Sequence, residues 1–319
     1  MPLAVADPFA RRPLGSTGLD VTGICFGAAP LGDMGGTFNI NPGEERSLAT
    51  LRSLLDSPIR FLDTAAGYGD GTSERRVGLA LAEIGGLPAD MVIATKTDPD
   101  AKTRDFSGDQ CRRSVERSQT LLGLDHLPLV YLHDPEYHDD ATLMASGGAV
   151  DALVDMQREG IVGAIGIGGG DIATMHRYLE LGIFTVMLTH NRFNLLNRSG
   201  EGLIDDAVGR GMAVCNAAPY GSGILAKGPK AYPRFMYRDA EAETLRNAEA
   251  FEQLADRHGV PLAAVALQFS LRDPRVSSTV VGMSRPERVQ ETVTLARHPI
   301  PESLWQELAE LPFSVIEGI

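Results

Sequence analysis

The sequence predicts a closed eight-stranded α/β barrel, (β/α)8, with an N-terminal β-hairpin and extra helical segments near the C-terminus. Two observations carry this. Short apolar runs of strand length alternate eight times with amphipathic helical stretches along the 319 residues, the pattern of a parallel sheet covered by helices. Eight such units match a barrel. In addition, the first strand lacks the glycine fingerprint of an open doubly wound sheet. The segment after it reads Gly27-Ala28-Ala29-Pro30-Leu31-Gly32, not G-x-G-x-x-G. Gly166-Ile167-Gly168-Gly169-Gly170-Asp171 comes closer, but it follows the fifth strand and ends in Asp. No linker divides the chain, so residues 1–319 are expected to form one domain.

The elements follow in order. Arg12 to Val21 reads as a hairpin with a glycine turn. The eight strands are Val21–Phe26, Ile59–Leu62, Met91–Ala94, Leu127–Leu132, Ile161–Ile167, Phe184–Leu188, Met212–Cys215 and Ser278–Val281. Between and after them fall helices Glu44–Asp56, Ser73–Ile84, Gly108–Leu122, Ala149–Glu159, Ile172–Leu181 and Leu203–Arg210. Ser73 and Arg76 have the spacing of a cap without its glutamate. An irregular stretch, Ala217–Ala240, precedes helices Glu243–His258 and Pro261–Arg272, the second opened by a proline suited to a first turn. Pro286–Ala296 and Glu302–Leu311 close the chain.

Bulk properties exclude several classes. Net charge is −13 with a pI near 5.0, which disfavours nucleic acid or an anionic membrane as main partner. No apolar run reaches the ~18 residues of a membrane span, and Met1–Arg12 does not read as a signal peptide. Cys25, Cys111 and Cys215 have no metal-like spacing, and two of them sit in apolar runs as buried thiols. A cytoplasmic protein without a metal is expected.

Four polar residues stand at or just past the ends of three consecutive strands: Asp63, Tyr68, Lys96 and His133. In a barrel these ends share the face that carries active sites. Tyr68 lies in Ala65-Ala66-Gly67-Tyr68-Gly69, where glycines let the loop turn tightly. A phenol titrates near ~10; an ammonium beside it favours the phenolate. Lys96 would supply that charge and Asp63 would hold Lys96. His133 would bind a substrate oxygen or relay a proton. A tyrosine so tuned is a general acid/base that still needs an electron acceptor.

Phe61-Leu62-Asp63-Thr64-Ala65-Ala66-Gly67-Tyr68-Gly69, with Ser73-Glu74 and Gly78 after it, closely resembles the signature of the aldo-keto reductase superfamily. Thr95-Lys96, Leu132-His133, Leu14 to Leu19 and Pro219 to Leu225 match as well, so the resemblance covers nearly the whole chain. It implies a TIM-type barrel that moves hydride between nicotinamide and a carbonyl or alcohol. It further implies Tyr68 as acid/base, Asp63 and Lys96 as its tuning pair, and His133 as the substrate-orienting group. NAD or NADP would lie over the mouth, touching Gly27, Asp63, Gly168 and His190. Its pyrophosphate would follow Tyr220, Gly221, Ser222, Gly223, Leu225 and Lys227, where glycines let backbone N–H groups approach phosphate. The adenosine would meet Gly282, Ser284 and Arg288 at a helix start.

Departures from the family pattern sharpen this. Side-chain donors after the fifth strand are missing, and His190 stands where many relatives have Gln. Asn216 and Ala217 offer no ring to stack on nicotinamide, and Gly282 replaces a lysine that grips the 2′-phosphate of NADP. Loss of that charge-assisted contact tilts the expectation toward NAD. Tyr131-Leu132-His133-Asp134-Pro135 and Leu188 to Leu196 are similar to the branch containing D-threo-aldose (L-fucose) 1-dehydrogenase and pyridoxal 4-dehydrogenase. That likeness implies oxidation of a cyclic hemiacetal, with Tyr68, His133 and Asp134 facing the sugar or aldehyde. Asp134 reads equally as a cap for the next segment. A broad NADPH-dependent aldehyde reductase and a non-catalytic barrel subunit are the alternatives. The sequence assigns no oligomeric state.

Overall fold

A computed structural model describes residues 7–316; the first half of the Met1–Arg12 segment lies outside them. Eight parallel strands close into a barrel. They are β1 (Ile24–Gly27), β2 (Phe61–Asp63), β3 (Val92–Thr97), β4 (Leu127–His133), β5 (Val162–Gly169), β6 (Val186–His190), β7 (Ala213–Ala217) and β8 (Ser278–Gly282). Each pairs with its neighbours in chain order, and β8 closes on β1 with Val280 opposite Cys25. The helices longer than four residues are α1 (Gly43–Leu55), α2 (Thr72–Glu83), α3 (Gly108–Leu122), α4 (Ala149–Arg158), α5 (Ile172–Leu179), α6 (Glu201–Gly209), α7 (Ala242–Arg257), α8 (Leu262–Leu271), α9 (Pro286–Ala296) and α10 (Glu302–Ala309). No described helix is long and apolar enough to cross a membrane.

Strand periodicity separates two cores. Phe61, Val92, Ala94, Leu129, Tyr131, Ala164, Val186, Leu188, Ala213, Cys215, Cys25 and Val280 fill the barrel interior. Their alternate neighbours, such as Leu62, Ile93, Val130 and Met187, pack outward against the helices. Side chains two apart on a strand share a face. One further step of two reaches Gly27, Asp63, Lys96, His133, His190, Ala217 and Gly282, and on β5 two steps through Gly166 reach Gly168; these positions lie at the strands' C-terminal ends. The hairpin Arg12–Pro13/Asp20–Val21 closes the other end, sending Leu14 and Val21 into the interior cluster.

Several expected boundaries shift, each for a local reason. The run Val21–Phe26 is not one strand. Thr22 Oγ1 donates to Ile24 O at 2.6 Å and accepts from Arg60 N at 3.1 Å, so the chain breaks between hairpin and β1. Ser73 does not cap α2. Gly71 occupies that place with no side-chain cap, while the Ser73 hydroxyl donates to Ala28 O at 2.9 Å, and Arg76 donates to Leu31 O at 2.5 Å. Both side chains tie α2 to the loop after β1 instead. Pro261 is the cap residue of α8 rather than its first helical residue. The stretch Ala217–Ala240 is more ordered than its composition suggests, holding short helices at Gly221–Gly223 and Ile224–Lys227 and a hairpin of Arg234–Phe235 with Arg238–Asp239.

Behind the barrel wall, Glu74 on α2 is fully buried and accepts from Thr95 Oγ1 at 2.5 Å. Burial pushes its carboxyl up from 4.5 to about 7, against the opposing hydrogen bonds from Thr95 and Ser118. Above pH 4.5 the unfolded chain therefore loses this proton first, so stability falls as pH rises toward 7 and is level beyond. The cost is about 3 kcal/mol. Glu74→Gln removes that slope: urea midpoints of the variant stay flat between pH 4.5 and 7 where the parent's decline.

Candidate active site

The C-terminal end of the barrel brings the four strand-end residues together. Lys96 Nζ donates to Asp63 Oδ1 at 2.6 Å, to Thr64 O at 2.7 Å and to Tyr68 OH at 3.1 Å. Lys96 is 1% and Asp63 3% exposed. Three acceptors therefore saturate the ammonium, which is what a charge held out of water requires. His133 meets the Tyr68 ring edge-on, with centroids 5.6 Å apart.

The Tyr68 loop is held from both sides. Gly67 N donates to Asp98 Oδ2 at 2.6 Å, and Ser73 N donates to Tyr68 O at 3.1 Å. Gly69 has φ +63° and lies against Gly32, where a Cβ would fall 1.9 Å from the Gly32 carbonyl oxygen. Only glycine fits there.

Electrostatics correct one expectation. Burial pushes the Tyr68 phenol above its ordinary value; Lys96 pulls it down, as anticipated, but Asp63 pushes it up again. The net direction is upward because a phenolate in this wall loses more hydration than Lys96 returns. Lys96 goes the other way from the usual buried lysine. Burial alone would depress its pKa, yet Asp63 and Tyr68 raise it, so the ammonium persists. Burial also raises Asp63, with Lys96 opposing.

His133 is raised to about 9: burial disfavours the cation, but Asp134 and Asp98 overcome this. Its Nδ1 is 2.7 Å from Asp98 Oδ1, and its Nε2 is 3.7 Å from Asp134 Oδ2. Asp134 adopts φ +45°, fixed by its N–H donating to Gly168 O at 2.7 Å. Burial alone would raise its carboxyl, but His133 and His190 hold it well below the usual range. His190 Nε2 lies 3.6 Å from Asp134 Oδ1.

These groups open on one cavity of about 900 Å³. Of the residues expected to hold a cofactor, Gly27, Asp63, His190, Tyr220, Ser222, Gly223, Lys227, Gly282, Ser284 and Arg288 line it. Gly168, Gly221 and Leu225 are absent from that lining. Gly168 serves through the carbonyl that holds Asp134. The glycine run after it makes room for neighbours rather than for phosphate. A Cβ on Gly169 would fall 2.6 Å from Glu136 Oε2, and one on Gly170 would fall 2.5 Å from His190 Cε1. In the loop after β7, the N–H of Gly221 is taken by Ala218 O, and those of Gly223 and Leu225 by Tyr220 O. Those three N–H groups are committed within the loop, and the side chains of Ser222, Lys227, Arg285 and Arg288 line the cavity beside it. Asn216 turns away from the mouth and donates to Phe193 O and Ser270 Oγ, both at 2.8 Å.

Sequence reasoning missed Asp98, Glu291 and Tyr237. The first anchors His133, the second binds Arg285 and Arg288, and the third lines the cavity from the Ala217–Ala240 stretch. Asp98 had a usable signal: it is a carboxylate two residues beyond Lys96 on the same loop face.

A parallel barrel whose mouth joins a buried Asp–Lys–Tyr group to a cation-lined cavity is the architecture of a hydride-transferring oxidoreductase. Comparison with known proteins agrees. The aldo/keto reductase family's sequence pattern matches residues 23–312. The chain is 31% identical to pyridoxal 4-dehydrogenase of Microbacterium luteolum, covering 93% of this chain and 96% of that protein. It is 32% identical to D-threo-aldose 1-dehydrogenase of a Pseudomonas species, covering 92% and 95%. A solved aldo-keto reductase from Bacillus halodurans, in its holo form, superposes with a TM-score of 0.78 over 96% of this chain and 98% of that one, at 22% identity. The chain belongs to the aldo/keto reductase family and is an NAD(P)-dependent oxidoreductase.

Proposed function

We propose that the protein oxidises an aldose, such as L-fucose or another D-threo-aldose, or a similar cyclic hemiacetal, to the lactone, with Tyr68 as general acid/base. The observation that carries this reading is the Lys96 ammonium bridging Asp63 and Tyr68 beside a hydrogen-bonding wall of His133, Asp134 and His190. The cavity also suits an anionic dinucleotide. Lys227 is lowered by burial and then by the neighbouring Arg288 and Arg285, a crowding of cations that phosphate would relieve. Bound nicotinamide supplies the hydride acceptor.

The chain's own groups do the rest. Tyr68 takes the proton of the anomeric hydroxyl as the C1–H bond gives up its hydride and the C1–O bond becomes the lactone carbonyl. Lys96 stabilises the phenolate, and Asp63 keeps Lys96 charged and in place. His133 donates to the reacting oxygen. Asp134 and His190 bind neighbouring hydroxyls, which disfavours substrates that leave these groups unpaired. Because the phenol is raised, the phenolate fraction grows about tenfold per pH unit, and oxidation quickens with pH until His133 loses its proton at about 9.

Asp134 stands at the start of the short helix Pro135–Tyr137 but makes no side-chain cap hydrogen bond, and it lines the cavity, which favours a substrate-facing carboxylate over a helix cap. Pyridoxal is the second reading, since the relative named for it is as similar as the aldose enzyme. A panel of L-fucose, D-arabinose, pyridoxal and simple alcohols with each cofactor tests the proposal. Nicotinamide reduction with the hemiacetals and none with the alcohols is expected; aldehyde reduction with NADPH alone would point to a broad reductase.

NAD is used at least as well as NADP on this reading. Gly282 offers no side chain, and Arg285 and Arg288 lie 2.9 and 3.3 Å from Glu291, a carboxylate that repels a 2′-phosphate. The ratio of kcat/KM for the two cofactors tests this, and a strong preference for NADP sinks it.

A further inference from the structure

We infer that Asp98 is a positioning residue of the reaction: its one carboxylate locks His133 and the Tyr68 loop into a single unit and fixes which imidazole nitrogen meets the substrate. The inference rests on the proposed role of His133. One oxygen, Oδ1, accepts from His133 Nδ1 at 2.7 Å. The other, Oδ2, accepts from Gly67 N at 2.6 Å, one residue before Tyr68. Asp98 is itself held, with its N–H donating to Ser114 Oγ on α3 at 3.1 Å. The approach is close enough that a Cβ on Gly67 would fall 2.8 Å from the Asp98 carboxyl. A bridge of this kind couples the loop after β2, the end of β3 and the end of β4.

The chemistry follows from the ring. With Nδ1–H committed to Asp98, Nε2 is the nitrogen left for the cavity. It donates to a substrate oxygen only while the ring is an imidazolium. The charged and titratable groups around His133 are Asp98 from the loop after β3, Asp134 beside it, Lys96 from β3, Asp63 and Tyr68 from β2 and its loop, and His138. Lys96 opposes the cation; Asp134 and Asp98 sustain it. Removing one carboxylate charge therefore shortens the pH range in which Nε2 donates.

Asp98→Asn keeps the shape and removes the charge, and Asp98→Ala removes the Gly67 anchor too. In the free protein, NMR titration of His133, assigned by the signal lost in His133→Gln, is expected to give a value of about 9 for the parent. We expect Asp98→Asn to move it at least one pH unit toward acid, with unchanged cofactor binding reporting an intact fold. In turnover, the alkaline limit of kcat/KM moves by the same amount, and Asp98→Ala loses a further tenfold or more in kcat. An unmoved His133 titration in Asp98→Asn overturns the inference whatever the substrate proves to be. If the titration moves but no hemiacetal is turned over, the positioning stands and the proposed reaction fails.

Discussion

Tyr68→Phe is expected to cut turnover by at least about 10³-fold while leaving nicotinamide binding within about twofold, because general acid/base catalysis carries about 10²–10⁴ of an enzyme's rate. The phenol oxygen is the one atom lost. It sits 3.1 Å from Lys96 Nζ, and the ring edge against His133 remains. A phenylalanine thus keeps the packing and removes the proposed proton carrier. Fluorescence titration with cofactor and steady-state kinetics together check the result. If the variant turns over normally, Tyr68 is only part of the cavity wall. The same assay across pH provides a second check, since oxidation by the parent should quicken as pH rises from neutral toward about 9 and the residual rate of the variant should not.

Lys96→Met is the second large effect, and it acts on stability as well as on rate. The substitution leaves Asp63 buried at 3% exposure with no cation beside it, and the Thr64 carbonyl loses its donor. Breaking one side of a buried pair costs about 3–5 kcal/mol. The double variant Lys96→Met/Asp63→Leu removes both charges and should recover much of that stability while staying inactive. Urea denaturation separates the two cases. A Lys96→Met protein as stable as the parent would mean that water reaches Asp63 and that the pair is not sealed.

Much of this site was readable before any coordinates because strand periodicity is simple. Phe61, Val92 with Ala94, and Leu129 with Tyr131 face the barrel interior, and steps of two along the same strands reach Asp63, Lys96 and His133. The signature around Tyr68 then fixed the family. What the sequence concealed has physical causes. Asp98 sits in Thr97-Asp98-Pro99-Asp100, where a carboxylate reads as a solvated turn residue; its partners are 31 and 35 positions away. The Gly168-Gly169-Gly170 run imitates a phosphate loop, yet two of its glycines are needed because Glu136 and His190 press against them. In the loop after β7, turns within the loop consume the N–H groups of Gly221, Gly223 and Leu225. Leu14 and Val21 gave a hairpin signal without saying that the hairpin closes the barrel. Apart from the short-range turns of the β7 loop, the missing information is a contact distant in sequence, which local patterning does not encode.

In the proposed reaction, hydride leaves C1 of a sugar hemiacetal for nicotinamide in this cavity. Aldoses deuterated at C1, such as L-fucose and D-arabinose, test it with either cofactor when the reduced nicotinamide is isolated and weighed by mass spectrometry. One deuterium per reduced cofactor is expected, together with a lactone product and a slower rate than with the unlabelled sugar. Reduced cofactor without deuterium, or no reduction by any hemiacetal from a protein that readily reduces simple aldehydes, would contradict it.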